Sequence, residues 1–253
     1  MVDNEVPGHV LLHELHAADG EGAAADMING NLLLILTGAI LTLIRERNGA
    51  FSMMEFNTGN LVWTRAPKQY SVNEAEITIT TQPGTDLWQR TYYGFRNDNA
   101  PVFQMATSEK FFSFVVKTEF ASKRRFDQCG IVLYLDSENW LKASIEYENE
   151  EYQRLGSVVT NHGYSDWATT DIPASVKSMW YRLSRRESDY CIECSYDGVN
   201  FKQMRICHMW EGAEEIRFGI YACSPEDSSF EATFTNLSLS ECKWKAHNSS
   251  TVF

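Results

Sequence analysis

The stretch Gln128-Cys129-Gly130-Ile131-Val132-Leu133-Tyr134-Leu135-Asp136-Ser137-Glu138-Asn139-Trp140-Leu141-Lys142-Ala143-Ser144-Ile145-Glu146-Tyr147 decides the fold. Two runs of strand length flank the turn signal Asp136-Ser137-Glu138-Asn139, the spacing of an antiparallel hairpin. Successive strand side chains point to opposite faces, so each run sorts by parity. Cys129, Ile131, Leu133 and Leu135 make an apolar face, continued by Leu141, Ala143, Ile145 and Tyr147. Gln128, Gly130, Val132, Tyr134 and Asp136 lie on the other face, with Trp140, Lys142, Ser144 and Glu146. One face is built for a core; the other carries aromatic, amide and charged groups.

The same period of two recurs on both sides of this hairpin. Ala75–Thr81, Phe111–Glu119, Leu155–Thr160, Met179–Arg185, Asp189–Tyr196, Phe201–His208, Glu214–Cys223 and Phe230–Leu239 alternate or nearly so. Turn signals such as Asp197-Gly198 and Glu148-Asn149-Glu150 separate them, and no long helix-period segment intervenes after Met54. Many short strands with hairpin spacing and no crossover helices predict an all-β fold: two antiparallel sheets packed as a sandwich or jelly roll. Parity also divides the later strands. Tyr181 and Leu183 oppose Trp180, Arg182 and Ser184, and Ile216, Phe218, Ile220 and Ala222 oppose Arg217, Gly219, Tyr221 and Cys223.

The 253 residues are 43% hydrophobic, 13% aromatic and 22% charged, which places the chain among folded globular proteins and excludes wholesale disorder, collagen and coiled coil. With 34 acidic against 22 basic residues the formal charge is −12, the wrong sign for tracking a phosphate backbone, so no nucleic-acid partner is expected. Six cysteines, several of them in apolar strand-like runs, read as reduced, buried thiols of a cytoplasmic protein rather than a disulfide scaffold. Cys191 and Cys194 are three apart, which in a strand turns them to opposite faces, against a redox or zinc role.

Residues 1–52 differ in character. No Lys or Arg precedes Arg45, whereas six acids do. The apolar run Leu32–Ile44 is interrupted by Thr37, Gly38 and Thr42 and falls short of the roughly 20 residues that span hydrocarbon, so no membrane span is expected. Its basic residues follow the run instead of preceding it, against a secretory signal. His9, His13 and His16 could share a helical face, yet no fourth ligand stands in a defined setting, and a solvated, poorly ordered helix is the plainer reading. The expected organisation is an N-terminal extension over 1–52, a jelly-roll domain over 53–242 and a C-terminal tail over 243–253.

Several segments carry a family likeness: Asn60-Leu61-Val62-Trp63 with Pro67; Thr85-Asp86-Leu87-Trp88-Gln89-Arg90-Thr91-Tyr92-Tyr93-Gly94; Asp127-Gln128-Cys129-Gly130; Glu138-Asn139-Trp140-Leu141-Lys142 through Ile145-Glu146; Ser165-Asp166-Trp167; and Cys223-Ser224-Pro225. Taken in order, from about Met54 to Leu239, the chain resembles the family of concanavalin A-like jelly-roll domains that includes the enolase-regulating protein. That resemblance implies a jelly roll of two antiparallel sheets and an influence on a glycolytic enzyme exerted without a demonstrated reaction. Residues 1–52 have no counterpart in the family pattern.

For function, the polar face is the candidate. A half-solvated antiparallel sheet shows a polar face in any case, but Trp, Tyr, Gln, Lys, Glu and Arg together resemble a platform for a small molecule or sugar. The expected binding surface is Gln128, Trp140, Lys142, Glu146, Arg182 and Tyr221, rimmed by Trp88, Arg90 and Tyr93. A packed loop in which Trp88 and Tyr93 plug the sandwich edge is the competing reading of the rim. Jelly-roll glycosidases need two carboxylates at a set separation. Glu146 is on the sheet, but Glu148 and Glu150 fall in the turn, and a Glu146–Lys142 pair would favour the ionised carboxylate, the opposite of what a general acid needs. His162 and His208 lack a nucleophile context. The reading is a non-catalytic cytoplasmic binding and regulatory domain, with a carbohydrate-binding module as the alternative and a glycoside hydrolase as the third; no catalytic residue, metal or cofactor is assigned.

Overall fold

A computed structural model describes residues 56–245. The extension over 1–52, with its three histidines and the Leu32–Ile44 run, its junction with the domain at residue 53, and the end of the tail from residue 246 lie outside the described residues.

Sixteen strands follow a short 3-10 turn at Thr58–Asn60. They are β1 (Val62–Arg65), β2 (Gln69–Val72), β3 (Glu76–Thr80), β4 (Leu87–Gln89), β5 (Arg96–Asp98), β6 (Val102–Thr107), β7 (Phe111–Phe120) and β8 (Gln128–Asp136). The chain continues through β9 (Asn139–Tyr147), β10 (Tyr152–Asn161), β11 (Tyr164–Pro173), β12 (Ser178–Arg186), β13 (Asp189–Ser195), β14 (Lys202–His208), β15 (Ile216–Cys223) and β16 (Glu231–Glu241). They form two seven-stranded antiparallel sheets, ordered β1-β6-β15-β8-β9-β10-β11 and β14-β13-β12-β7-β16-β3-β2, and a β4-β5 ribbon. The fold is the predicted all-β concanavalin A-like jelly-roll sandwich. None of the described helices is long and apolar enough to cross a membrane.

Parity placed the core correctly. In the first sheet Leu141 pairs with Leu133, which pairs with Phe218, while Ala143, Ile131 and Ile220 form the next rank. This face meets the second sheet where the Phe218 ring lies 4.7 Å from that of Phe112 and 5.2 Å from that of Phe114. Val116, Tyr181 and Leu183 stand on the same side of the second sheet, all fully buried. Arg185 shares that inward parity and is fully buried at the sandwich end. Its guanidinium donates to the carbonyls of Glu187, Glu109, Gly212 and Glu214 at 2.6–2.9 Å, which satisfies a charge that would otherwise be costly to bury and ties three loops together.

The sequence reading omitted β1, β2, β4, β5, β6 and β11. In β11 the run Tyr164–Pro173 is largely exposed at a sheet edge and shows no clean alternation, and in β6 the neighbours Val102-Phe103 and Met105-Ala106 are apolar pairs, so neither bears the period-two signature.

The first sheet's outer face is roofed over part of its area. The segment between β3 and β6, carrying the β4–β5 ribbon, folds over it and buries a second apolar cluster that includes Leu87, Val132, Tyr134, Trp140, Val158 and Tyr221. Three sets of bonds hold this roof. At its root, Thr81 Oγ1 meets Ser224 Oγ at 2.7 Å, and Thr85 N donates to Ser224 O. Along its middle, Tyr134 Oη donates to Asp98 Oδ1 at 2.9 Å, with Arg65 Nη2 3.4 Å from the same oxygen. At its tip, Gln89 N donates to Ser165 Oγ, and Arg90 Nη1 donates at 2.7 Å both to Glu138 Oε2 and to Gly163 O. Gly163 has φ +75°, and a Cβ there would collide with the Arg90 guanidinium, so this turn requires glycine twice over.

Candidate functional site: a roofed pocket on the outer face

Between the roof and the sheet lies a cavity of about 320 Å³, at the lower end of the range for small-molecule sites. Its floor is built from β8 and β9, which register places side by side: Gln128 opposite Glu146 and Val132 opposite Lys142. Val158 on β10 lies beside Lys142. The roof contributes Asp86, Trp88, Tyr93, Phe95 and Asn97, and β11 contributes Trp167.

The floor is a continuous hydrogen-bond chain. Lys142 is 3% exposed; its Nζ donates to Gln128 Oε1 at 2.9 Å and lies 3.5 Å from Asp86 Oδ1. The same ammonium sits 5.8 Å from the Trp140 ring centroid and 5.6 Å from that of Tyr221, so aromatic rings flank the buried charge. Gln128 Nε2 donates to Glu146 Oε2 at 3.0 Å, and Tyr221 Oη lies 2.8 Å from both Gln128 Oε1 and Ser144 Oγ. Asp86 is fixed from its own loop: Leu87 N donates to Oδ1 at 2.7 Å and Asn97 Nδ2 to Oδ2 at 3.3 Å. Gln128 thus bridges Lys142 to Glu146.

This bridge corrects the expected electrostatics of Glu146. Lys142 turns to Gln128 and Asp86 instead of bonding Glu146, and Arg154 reaches Glu148 Oε2 at 3.5 Å. Burial therefore outweighs the attraction of Lys142 and pushes the Glu146 carboxyl up to about 7, with the negative charge of Asp86 adding to the rise. Burial likewise raises the Tyr221 phenol and the Cys223 thiol. All six cysteines are unpaired, and burial raises the thiols of Cys129, Cys191 and Cys207 too, which suits packing rather than nucleophilic chemistry.

The walls are aromatic. The Trp88 and Trp167 rings stand nearly perpendicular, 84° apart with centroids at 6.2 Å, and Tyr93 meets Trp88 at 70° and 5.6 Å. Phe95 stacks on Tyr93 at 5.3 Å. Trp88 Nε1 donates to Thr91 O at 3.1 Å, which fixes the indole within the roof. Trp167 leans across Gly156, where a Cβ would lie 3.2 Å from its Nε1.

Of the nine expected site residues, Trp88, Tyr93, Gln128, Lys142 and Glu146 line the cavity. Trp140 and Tyr221 are fully buried beneath it, in the apolar cluster, where their rings flank Lys142 and Tyr221 Oη meets Gln128. Arg90 is a pin of the roof, its guanidinium held by Glu138 and Gly163 O. Arg182 does not belong to the site. It lies on the second sheet's outward face, where it forms a bidentate pair with Glu193 at 2.6 Å and stacks 4.2 Å from the Phe201 centroid, with the whole sandwich between it and the cavity. Parity tells two faces of one sheet apart; it cannot tell which of two sheets a strand joins. The expected site left out Asp86 and Trp167: Asp86 stood in the charge-dense Thr85–Gly94 loop, where it also accepts the backbone bond from Leu87 N, and the signal for Trp167 was its membership of the Ser165–Trp167 segment. Pro225 stood in the Cys223-Ser224-Pro225 segment, and the loop residues Phe126 and Glu226 carried no signal.

Comparison with known proteins places this pocket in a family. The chain is 29% identical to the yeast protein "Regulation of enolase protein 1" of Saccharomyces cerevisiae over 184 residues, 73% of this chain and 91% of that protein. It superimposes with a TM-score of 0.68 at 28% identity on the crystal structure of a functionally unknown protein from the same yeast, covering 74% of this chain and 98% of that one. A xylan β-1,4-xylosidase from Bacillus halodurans shares the fold at a TM-score of 0.57 and 13% identity, over 72% of this chain and 39% of its own. Residues 63–242, which hold both sheets, the roof and every wall of the cavity, match the family described as "Protein of unknown function (DUF1349)", and the chain belongs to that family.

Proposed function

We propose that the domain over residues 53–242 is a cytoplasmic, non-catalytic binding and regulatory domain, that the roofed cavity is its ligand site, and that it acts on a metabolic enzyme such as enolase. The observation that carries this reading is the Asp86–Lys142–Gln128–Glu146 chain on the cavity floor: linked polar groups, with Lys142 and Gln128 buried and Glu146 turned to the cavity, at the base of an aromatic pocket. The enzyme partner rests on the name of the yeast relative. A carbohydrate is the second ligand reading, supported by indole walls beside an amide and carboxylates. Against catalysis stand the commitment of Asp86 to Leu87 N, Asn97 and Lys142 and the pairing of Glu148 with Arg125 at 2.8 Å, which engage the two carboxylates whose charges act on Glu146. The free thiols support a reducing compartment.

The test is to measure enolase turnover and its binding to the full chain, with wild-type protein and with Trp88→Leu. The expected result is a measurable effect of wild type that Trp88→Leu loses while remaining folded. An effect retained in full by Trp88→Leu would separate the pocket from the regulation.

A further inference from the structure

The charge of the cavity defines its ligand more narrowly than its shape does. Three carboxylates, Asp86, Glu146 and Glu226, line it against one ammonium, Lys142, while the Arg154 guanidinium, not among the lining groups, lies 5.6 Å from the Trp167 ring centroid. The Lys142 charge is spent beneath the surface on Asp86, on Gln128 Oε1 and between the Trp140 and Tyr221 rings. What faces the open volume is therefore Glu146, whose hydrogen bond from the described residues is the neutral one from Gln128, with Glu226 at the mouth and the Trp88, Trp167 and Tyr93 rings as walls. Indole and phenol faces set at right angles, with a carboxylate at their base, attract a cation from several sides, and the same carboxylates repel an anion.

We infer that this pocket binds a small organic cation, an ammonium group on a compact frame, with its charge against Glu146 and between the Trp88 and Trp167 rings. The inference rests on the cavity being the ligand site, and it excludes phosphorylated and carboxylate metabolites as occupants. The groups around Glu146 are Lys142 on its own strand, Asp86 from the roof, Arg154 on β10 and Glu148 beyond the end of β9. With its carboxyl near 7 in the empty pocket, Glu146 must give up its proton when a cation arrives. Affinity then rises with pH, by about tenfold between pH 6 and pH 8 if only the ionised form binds.

The test is calorimetric titration of the full chain with tetramethylammonium at pH 6, 7 and 8, with methyl glucoside and inorganic phosphate as neutral and anionic probes. Expected are binding of tetramethylammonium that tightens about tenfold over that range with proton release, loss of at least about tenfold in both Glu146→Gln and Trp88→Leu, and no binding of phosphate. Methyl glucoside binding that needs Trp88, in the absence of tetramethylammonium binding, would overturn the cation and leave the cavity as the ligand site. Cation binding that survives both substitutions, or that is independent of pH, would also overturn it. If no probe binds and Trp88→Leu keeps the full effect on enolase, the ligand-site reading falls with it.

Discussion

The two faces of the sheet β1-β6-β15-β8-β9-β10-β11 are covered in different ways. The inner face meets a second sheet of equal size, and its residues, Phe218, Leu133, Leu141 and Ile131, need only be apolar and alternate. The outer face is covered by a loop-borne ribbon that is pinned to the sheet at its root, middle and tip and leaves a cavity between ribbon and sheet. There the same strands present Trp140 and Tyr221 to an apolar cluster and Lys142, Gln128 and Glu146 to the cavity. The difference teaches that burial alone does not separate core from cavity lining in this molecule: Trp140 and Lys142 are both buried on the outer face, two residues apart, yet one packs in the apolar cluster and the other lines the cavity.

The sharpest challenge to that comparison is Trp140→Ala. If the outer cluster is a true second core, the substitution costs about 3–5 kcal/mol, as much as Phe218→Ala on the inner face, read as a loss of melting temperature. A loss of only a few tenths would make Trp140 a surface residue and return the face to the platform expected from sequence.

Glu146→Gln should act in the opposite direction. A carboxyl raised to about 7 in the fold from an ordinary value near 4.5 favours folding fully below 4.5 and loses that contribution as pH rises through 7, because the ionised form is the one burial penalises. The amide carries no such penalty. The variant should therefore be more stable than wild type by about 3 kcal/mol at pH 8 and equal to it near pH 4. Denaturant melts at the two pH values check the sign; equal stabilities at pH 8 would mean that solvent, not burial, governs this carboxylate.

Arg182→Met gives the smallest effect. Its pair with Glu193 is partly exposed, so about 1 kcal/mol of stability should be lost, with no change in ligand or partner binding. Altered binding would place a second site on the far sheet.

The sequence reading succeeded where one physical rule governed. Period-two alternation located ten of the strands and both faces of β8, β9, β12 and β15, because each of those strands has one face against the core. It could not show that the face bearing Lys142 has a roof, since the roof is held by scattered pairs such as Thr81–Ser224, Tyr134–Asp98 and Arg90–Glu138, distant in sequence and unremarkable in type. Without the roof, Trp140 and Tyr221 look like exposed platform aromatics; with it, they are buried. Arg182 was misplaced for a related reason, because hydrogen-bonded partners, not parity, decide the sheet to which β12 belongs.

The central claim is that the roofed side of the sheet recognises a ligand through groups the fold does not require. Measuring melting temperature and tetramethylammonium affinity for Trp88→Leu beside wild type and Arg182→Met tests it most directly. The account predicts that Trp88→Leu loses at least about tenfold in affinity while melting within a few degrees of wild type, and that Arg182→Met keeps its affinity. Unfolding of Trp88→Leu, or affinity unchanged from wild type, would contradict it.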